Sequence, residues 1–352
     1  MSVPSAAFIT ADFADNTDPP QPNGCAWYRL VLPSRALAKL GWDTAVGMPR
    51  ASLEHGIGVA YEDGMLTGWD ISVMKLLMHR DIPAMLRGMQ QRGERIVFDV
   101  DDFHYGIHED NIAASSTNPH NNPTANRAFY EQAIREADSV IVSTEFLADF
   151  YAPRVRDVTI VRNSLDIERW EPIEQEEEPI IGWVGGTLWR SNDVEILADW
   201  LPGFVKDHGI RVQHSGHIPG DGKHFGVRVG LRRVQTTPMC LVKDYPDRMF
   251  TMNIGLVPLN RVPFSEAKSN LKGLEYAAKG IPFIATPTRE YELLAEAGIG
   301  RLAETPDEWR DHATELLDPE IRRAEGKRIR ELVERDWTIE GKVNEWATAI
   351  AG

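Results

Sequence analysis

Short apolar runs alternate along this chain with segments whose apolar positions recur at helical spacing. Ala6–Thr10, Thr44–Gly47, Ile71–Leu77, Arg95–Val100, Ser139–Ser143 and Val158–Val161 read as strands. Between them, Ile82–Arg92, Phe129–Ala137 and Thr144–Tyr151 read as helices. So does Tyr28–Leu40, with Leu30, Val31, Ala36, Leu37 and Leu40 at helical spacing and Gly41 as its stop. Alternation of this kind predicts a parallel sheet with helices on both faces.

The pattern is interrupted once and then restarts. Glu171–Pro179 is acidic, flanked by prolines and without apolar periodicity, which reads as an interdomain linker, a surface loop being the alternative. Beyond it come strands at Ile180–Val184, Arg211–Ser215, Ile254–Pro258 and Ile281–Ala285, with helices at Val194–Lys206 and Asn270–Lys279 and a further one closing at Met249–Asn253. Helices follow from Pro306, the last being Ile339–Ile350 with Val343, Trp346, Ala347 and Ile350 on one face. The expected fold is α/β with two doubly wound, Rossmann-type domains. The boundaries are residues 1–165, a linker at 166–179, a second domain at 180–335 and a C-terminal helix at 336–352, which packs back on the first domain.

A length of 352 residues suits two domains. The hydrophobic fraction of 42% and charged fraction of 26% are those of a folded chain, which excludes disorder for its bulk. Cys25 and Cys240 are the only cysteines, too few for a disulfide scaffold or a zinc site of their own. No apolar run reaches membrane-spanning length and Met1–Thr10 lacks the marks of an export signal, so the cytoplasm is the expected location. The net charge of −15 is spread evenly, with 14 basic against 21 acidic residues up to Arg162 and 24 against 32 beyond it. Such a field disfavours nucleic acid and anionic membrane surfaces, so any anionic ligand needs a local basic cluster.

That cluster is sought where doubly wound sheets bind ligands, at the carboxyl ends of strands. The stretch from Asn253 to Pro287 ends a strand near Leu259, carries Arg261 and Lys268 in a loop, and opens a helix near Ser269–Asn270. A helix start offers free N–H groups and a positive dipole end to phosphate, with Lys268 and Lys272 as countercharge. Glu275, one turn further in, suits a ribose diol. An N-capped helix with solvated lysines is the plain structural alternative. A second candidate is VFDVDDFHYG, where a strand runs into Asp99, Asp101 and Asp102 with His104 beyond. Here Asp99 and Asp101 are expected on opposite sides of the strand, one structural and one facing a cleft. Gly24, Tyr28 and Arg29 follow the first strand. Cys25 has no histidine partner nearby in sequence, so a nucleophilic cysteine is not expected.

AKSNLKGLEYAAKGIPFIATP resembles the donor-binding segment of GT-B glycosyltransferases of the family 4, or group 1, type. GCAWYRLVLPSRALAKLGWD, VRNSLDIERW and IIGWVGGTLWRSN resemble further pieces of that family in order and spacing, so the resemblance spans nearly the whole chain. It implies that Gly185 and Gly186 admit donor phosphates, that Arg190 and Lys268 neutralise the diphosphate, and that Ser269 and Asn270 donate to it. Glu275 matches the second of a glutamate pair, whereas the first stands here as Ala267, with Glu266 one place earlier. Asp101, Asp102 and His104, with Gly24, Tyr28 and Arg29, would lie on the acceptor side. An Asp-x-Asp metal site of the GT-A kind competes for the strand end, and the resemblance favours a metal-independent donor site.

The function this implies is transfer of a sugar from a UDP- or GDP-linked donor to an acceptor hydroxyl, with retention and no required cofactor. A protein or a glycan is the expected acceptor ahead of a membrane lipid. Compact relatives with the Asp-rich strand end occur in bacteriophages. A nucleotide-sugar epimerase on the same fold and a noncatalytic, degenerate binding protein are the alternatives. A dinucleotide oxidoreductase is excluded, because Gly182, Gly185 and Gly186 do not form a Gly-x-Gly-x-x-Gly turn.

Overall fold

The structure, a computed structural model, describes residues 3–14, 17–52, 54–61, 64–107, 111, 113–114, 126–175, 177–189, 192–218 and 224–352, with the backbone alone at 61, 126 and 189. The chain divides into two compact units. One comprises Met1–Tyr105, Ala114–Ser164 and Ile339–Gly352; the other comprises Gly106–Ala113 and Leu165–Thr338.

In the first unit, β1 (Ser5–Thr10) leads through a small antiparallel pair, β2 (Phe13–Ala14) and β3 (Gln21–Pro22), into a continuous helical run. That run begins at Gly24–Ala26, widens to a π-helical turn at Trp27–Val31 and ends with Leu32–Lys39. Strand β4 (Asp43–Gly47) returns beside β1. An antiparallel meander follows, β5 (Pro49–Ser52), β6 (Gly56–Tyr61) and β7 (Gly64–Leu66). Its strands are short, two of the three carry glycine and the first opens on proline, which is why the pattern along the chain does not announce it. Then β8 (Ile71–Lys75), β9 (Arg95–Val100), β10 (Ser139–Val142) and β11 (Val158–Ile160) complete a six-stranded parallel sheet ordered β11-β10-β9-β8-β1-β4. The order reverses between β1 and β8, because β4 lies on one side of β1 and all later strands on the other.

The helix Ile339–Ala351 belongs to this first unit, packed on Leu32–Lys39 and on β8 and β10. Val343, Trp346 and Ile350 are buried as the pattern predicts, with Ala349 rather than Ala347 completing the face. The Ile350 carbonyl accepts from Arg95 Nε at 2.9 Å.

The second unit repeats the plan with β12 (Ile180–Val184), β13 (Arg211–His217), β14 (Gln235–Pro238), β15 (Ile254–Val257), β16 (Phe283–Ala285) and β17 (Arg301–Leu302), ordered β14-β13-β12-β15-β16-β17 and parallel throughout. Its order reverses between β12 and β15. Trp183, Trp200, Phe204, Leu256, Ile284 and Trp309 are among its core. The single helix predicted for Val194–Lys206 is two pieces, a 3-10 turn at Val194–Leu197 and a helix at Leu201–His208. Pro202 is the reason: it has no N–H for the Ala198 carbonyl and its ring would clash there, so it is accommodated only in the first turn of a new helix.

Residues 165–179 are held against this second unit. Trp170 is buried, Ile173 N donates to the Lys279 carbonyl at 3.0 Å, and Gln175 Nε2 to the Gly280 carbonyl at 2.8 Å. Arg322, fully buried, donates to the carbonyls of Leu316, Leu317 and Glu177 at 2.7, 3.0 and 3.3 Å.

Glycine marks a close approach of backbones in this unit. A Cβ on Gly326, within the helix Pro319–Asp336, would lie 2.2 Å from the Gly280 carbonyl oxygen, where backbone cannot yield. At Gly203, in the helix Leu201–His208, a Cβ would meet nothing within 4 Å. Gly326→Ala should therefore destabilise by about 2 kcal/mol, and Gly203→Ala should stabilise by up to about 1 kcal/mol. Chemical denaturation of the two variants checks the opposite signs.

Candidate functional site

The carboxyl end of β9 carries the charge-rich cluster of the first unit. Asp99 is fully buried and receives Arg29 through three contacts, Nε to Oδ1 and Oδ2 at 3.1 Å each and Nη2 to Oδ2 at 2.6 Å. Arg29, in the π-helical turn, spends Nη1 on the Val161 carbonyl at 2.6 Å and on Asn163 Oδ1 at 3.2 Å, and lies 4.7 Å over the Trp346 ring. Expected on the acceptor side, it is 1% exposed and works as a tether of strand ends. Tyr28 beside it is also buried, whereas Gly24 is exposed with open space where a Cβ would be.

Lys75, at the end of β8 and also buried, pairs with Asp101 and sits 3.8 Å from Asp99. One ammonium thus meets both carboxylates, which corrects the expectation that Asp99 and Asp101 face opposite ways. Residues two apart on a strand share a face. The Lys75 charge, with Arg29 behind it, outweighs desolvation and holds the Asp101 carboxyl far below the usual carboxylate range. Lys75 is raised in turn, because its two carboxylates, Asp101 foremost, outweigh burial. No pattern in the sequence singled out Lys75. Its signal was an ammonium ending an otherwise apolar strand.

Cys25 is exposed as a residue, while desolvation around its thiol, ahead of the Asp101 charge, raises its pKa well above the ordinary value. Its Sγ and an oxygen each from Asp101 and Asp102 lie within 4.8 Å of one another, a donor set a metal ion could use. The Lys75 ammonium already supplies the positive charge there, so a cation would have to compete with it. His104 is 4% exposed, its Nδ1 has no hydrogen-bond partner, and its ring meets Tyr130 edge-on at 5.6 Å. Burial, opposed by Asp102 and helped by Arg127, lowers its pKa to about 4.

In the second unit Gly185 and Gly186 follow β12 directly. Gly185 N donates to the Ser215 carbonyl at 2.8 Å, its own carbonyl lies 2.9 Å from His214 Nε2, and a Cβ on it would strike the Trp183 ring at 2.6 Å. Arg228, which the sequence did not single out, ties the turn from some forty residues away. It donates to the Thr187 carbonyl at 3.1 Å and to Glu195 Oε1 at 2.6 Å. Arg190 lies outside the described residues, as does nearly all of the polar loop 112–126.

After β15 the chain passes through Arg261, which pairs with Glu266, to Lys268 and the helix Leu271–Ala278. Asn270 begins that helix without a side-chain cap. Its Nδ2 donates to the Glu290 carbonyl at 3.2 Å, and its Oδ1 is buried without a hydrogen bond. The Asn270 side chain thus does not serve the first N–H groups of the helix. Lys268 and Ser269 are half-buried, with Lys268 Nζ 4.2 Å over the Phe264 ring, and Ala267 is buried. Glu275 is 2% exposed, its Oε2 held by Lys272 at 2.5 Å and by the Tyr245 hydroxyl at 3.2 Å.

A pH dependence follows from His104. Unfolded, it takes a proton near pH 6.5; folded, only near pH 4. Between those values the unfolded state binds more protons, so stability falls as pH drops from 6.5 towards 4, by on the order of 3 kcal/mol for this one group. The expected outcome is that His104→Gln loses less stability than wild type over this window, measured by urea denaturation at a series of pH values.

No family model matches the chain, and no curated protein matches it in sequence. Solved structures do match in fold. Sucrose-phosphate synthase from Thermosynechococcus elongatus superposes with a TM-score of 0.67 at 14% identity, over 98% of each chain. An alpha-glucosyltransferase in complex with UDP and a 13-mer DNA containing an HMU base gives 0.66 at 13% identity over 100% of both chains. HepE from Anabaena in complex with UDP-glucose gives 0.61 at 14% identity, over 98% of this chain and 99% of that one. The two parallel-sheet Rossmann-like units of this chain thus have the GT-B glycosyltransferase fold.

Proposed function

We propose that this protein is a glycosyltransferase that moves a sugar from a nucleoside diphosphate donor to an acceptor hydroxyl. One observation carries the reading. In the second unit, the glycine turn after β12 and the uncapped helix start after β15 flank the reversal in strand order, the position at which doubly wound sheets take their ligands. Backbone approach at Gly185–Gly186, the start of the helix Leu271–Ala278 without a side-chain cap and the Lys268 ammonium suit a diphosphate. Arg190 is proposed as a second cation on it, with Ser269 and Asn270 as donors. UDP is the favoured nucleotide, because HepE and the alpha-glucosyltransferase were solved with UDP or UDP-glucose.

Asp101, Asp102 and His104 are proposed for the acceptor side, in the first unit. None of the groups with a resolved shift there is a strong base at neutral pH, since Asp101 is held far down and His104 sits near 4. That supports a retaining reaction in which the departing diphosphate takes the acceptor proton. The bond from the anomeric carbon to the diphosphate oxygen breaks as the bond to the acceptor oxygen forms on the same face. Stabilising the leaving group is then the protein's main contribution, and cationic side chains can do this without a metal. The acidic surface argues against DNA as acceptor here.

Calorimetric titration with UDP tests the donor site. We expect binding that persists in EDTA and weakens by about 10- to 100-fold in Lys268→Ala, and likewise in Arg190→Ala, the loss of one charge-assisted contact each. Wild-type affinity in both variants would sink the assignment. Strict dependence on magnesium would move the site to Asp101 and Asp102.

A further inference from the structure

The first unit has its own reversal in strand order, between β1 and β8, and a cavity of about 680 Å³ lies there. Ala11 and Asp12 line it directly after β1, and Leu76, Leu77 and Met78 directly after β8. Pro49, Ala51 and Ile57 of the β5–β6 meander form another wall, and Ile82 and Met85 of the helix Ile82–Gln91 a third. The meander is an insertion in the doubly wound plan, and here it walls a pocket at the carboxyl end of the sheet.

Three features show what such a pocket would hold. Its body is aliphatic and thioether, with the two methionines able to adapt their shape to a ring. Among the described lining residues the polar ones are Asp12, His79 and Asp81, with no Lys or Arg, so none of them favours a carboxylate, sulfonate or phosphate over a neutral molecule. Its volume is that of a site for a ligand of a few rings. Leu76, moreover, holds a left-handed backbone with φ 54°, which a leucine adopts only when its surroundings enforce it.

The pocket also adjoins the charged cluster along two paths. Leu76 follows Lys75, the partner of Asp101. Asp12 Oδ2 accepts from Ala26 N at 2.8 Å, the residue after Cys25. A molecule seated in the cavity would therefore lie beside the segments that carry Cys25 and Lys75.

We infer that this cavity binds the acceptor, and that the acceptor is a neutral compound whose hydroxyl is carried on an apolar ring system. The inference rests on the transferase reading for the word acceptor, and on the cavity alone for the chemistry of the ligand. It differs from the protein or glycan acceptor expected from the sequence.

The test uses the whole chain and a matched pair of probes, 2-naphthol and naphthalene-2-sulfonate, followed by fluorescence titration, with UDP titrated separately. Saturable binding of 2-naphthol at one site, at least about tenfold tighter than the sulfonate, is expected. Met85→Asp and Met78→Asp, both at partly exposed positions, should each weaken 2-naphthol by at least about tenfold while leaving UDP affinity and Tm unchanged. No saturable naphthol binding, equal binding of the sulfonate, or indifference to both substitutions would overturn the cavity assignment whatever UDP does. Should either variant fail to fold, the comparison of the two probes on the wild type decides. Naphthol binding in a protein that takes no UDP would uphold the cavity's ligand chemistry and overturn the acceptor role.

Discussion

Arg29 is the constraint on which the first unit is built. Its guanidinium joins a helical turn after β1 to Asp99 at the end of β9 and to the Val161 carbonyl just past β11, and it stacks on Trp346 of the last helix. Burying this ion pair yields little net stability, since desolvation offsets most of the attraction. Removing one partner, however, costs roughly 3–5 kcal/mol because it strands the other charge. Its contribution is therefore one of position. Four segments distant in sequence are held at the carboxyl end of the sheet, and Lys75 is packed against the same carboxylate while pairing with Asp101.

With Asp99 satisfied by Arg29, Lys75 is left to serve Asp101, so the outer carboxylate stays ionised although its surroundings are dry. His104 nearby meets the opposite condition. It is buried without a hydrogen bond at Nδ1, so its neutral form is the one the fold tolerates. The same low dielectric fixes a charge in one case and removes it in the other, and what differs is the ammonium.

The second unit achieves its edge with backbone rather than charge. Gly185 and Gly216 approach each other so closely that a Cβ on Gly216 would lie 2.6 Å from the Gly185 carbonyl, and Gly216 has φ +108° besides. Arg228 then fixes the Thr187 carbonyl further along the turn. The product is a glycine turn on one side of the strand reversal and a helix start without a side-chain cap on the other.

Much of this was legible in the chain itself. Buried strands have to be apolar throughout and helices amphipathic, so the parallel-sheet plan and the last helix follow from local pattern. So does the helix opening at Asn270, with Lys268 just before it. The meander β5–β7 was not legible, because its strands are short, partly exposed and broken by glycine or proline. Nor were Lys75 and Arg228 as members of a cluster, because what they do depends on groups some 26 and 41 residues away. Local sequence determines which backbone each segment adopts, since that depends on neighbours within a few positions. Which charges meet, which carboxylate stays ionised and where a cavity opens were decided only in the tertiary structure, because burial and pairing are properties of segments brought together from across the chain.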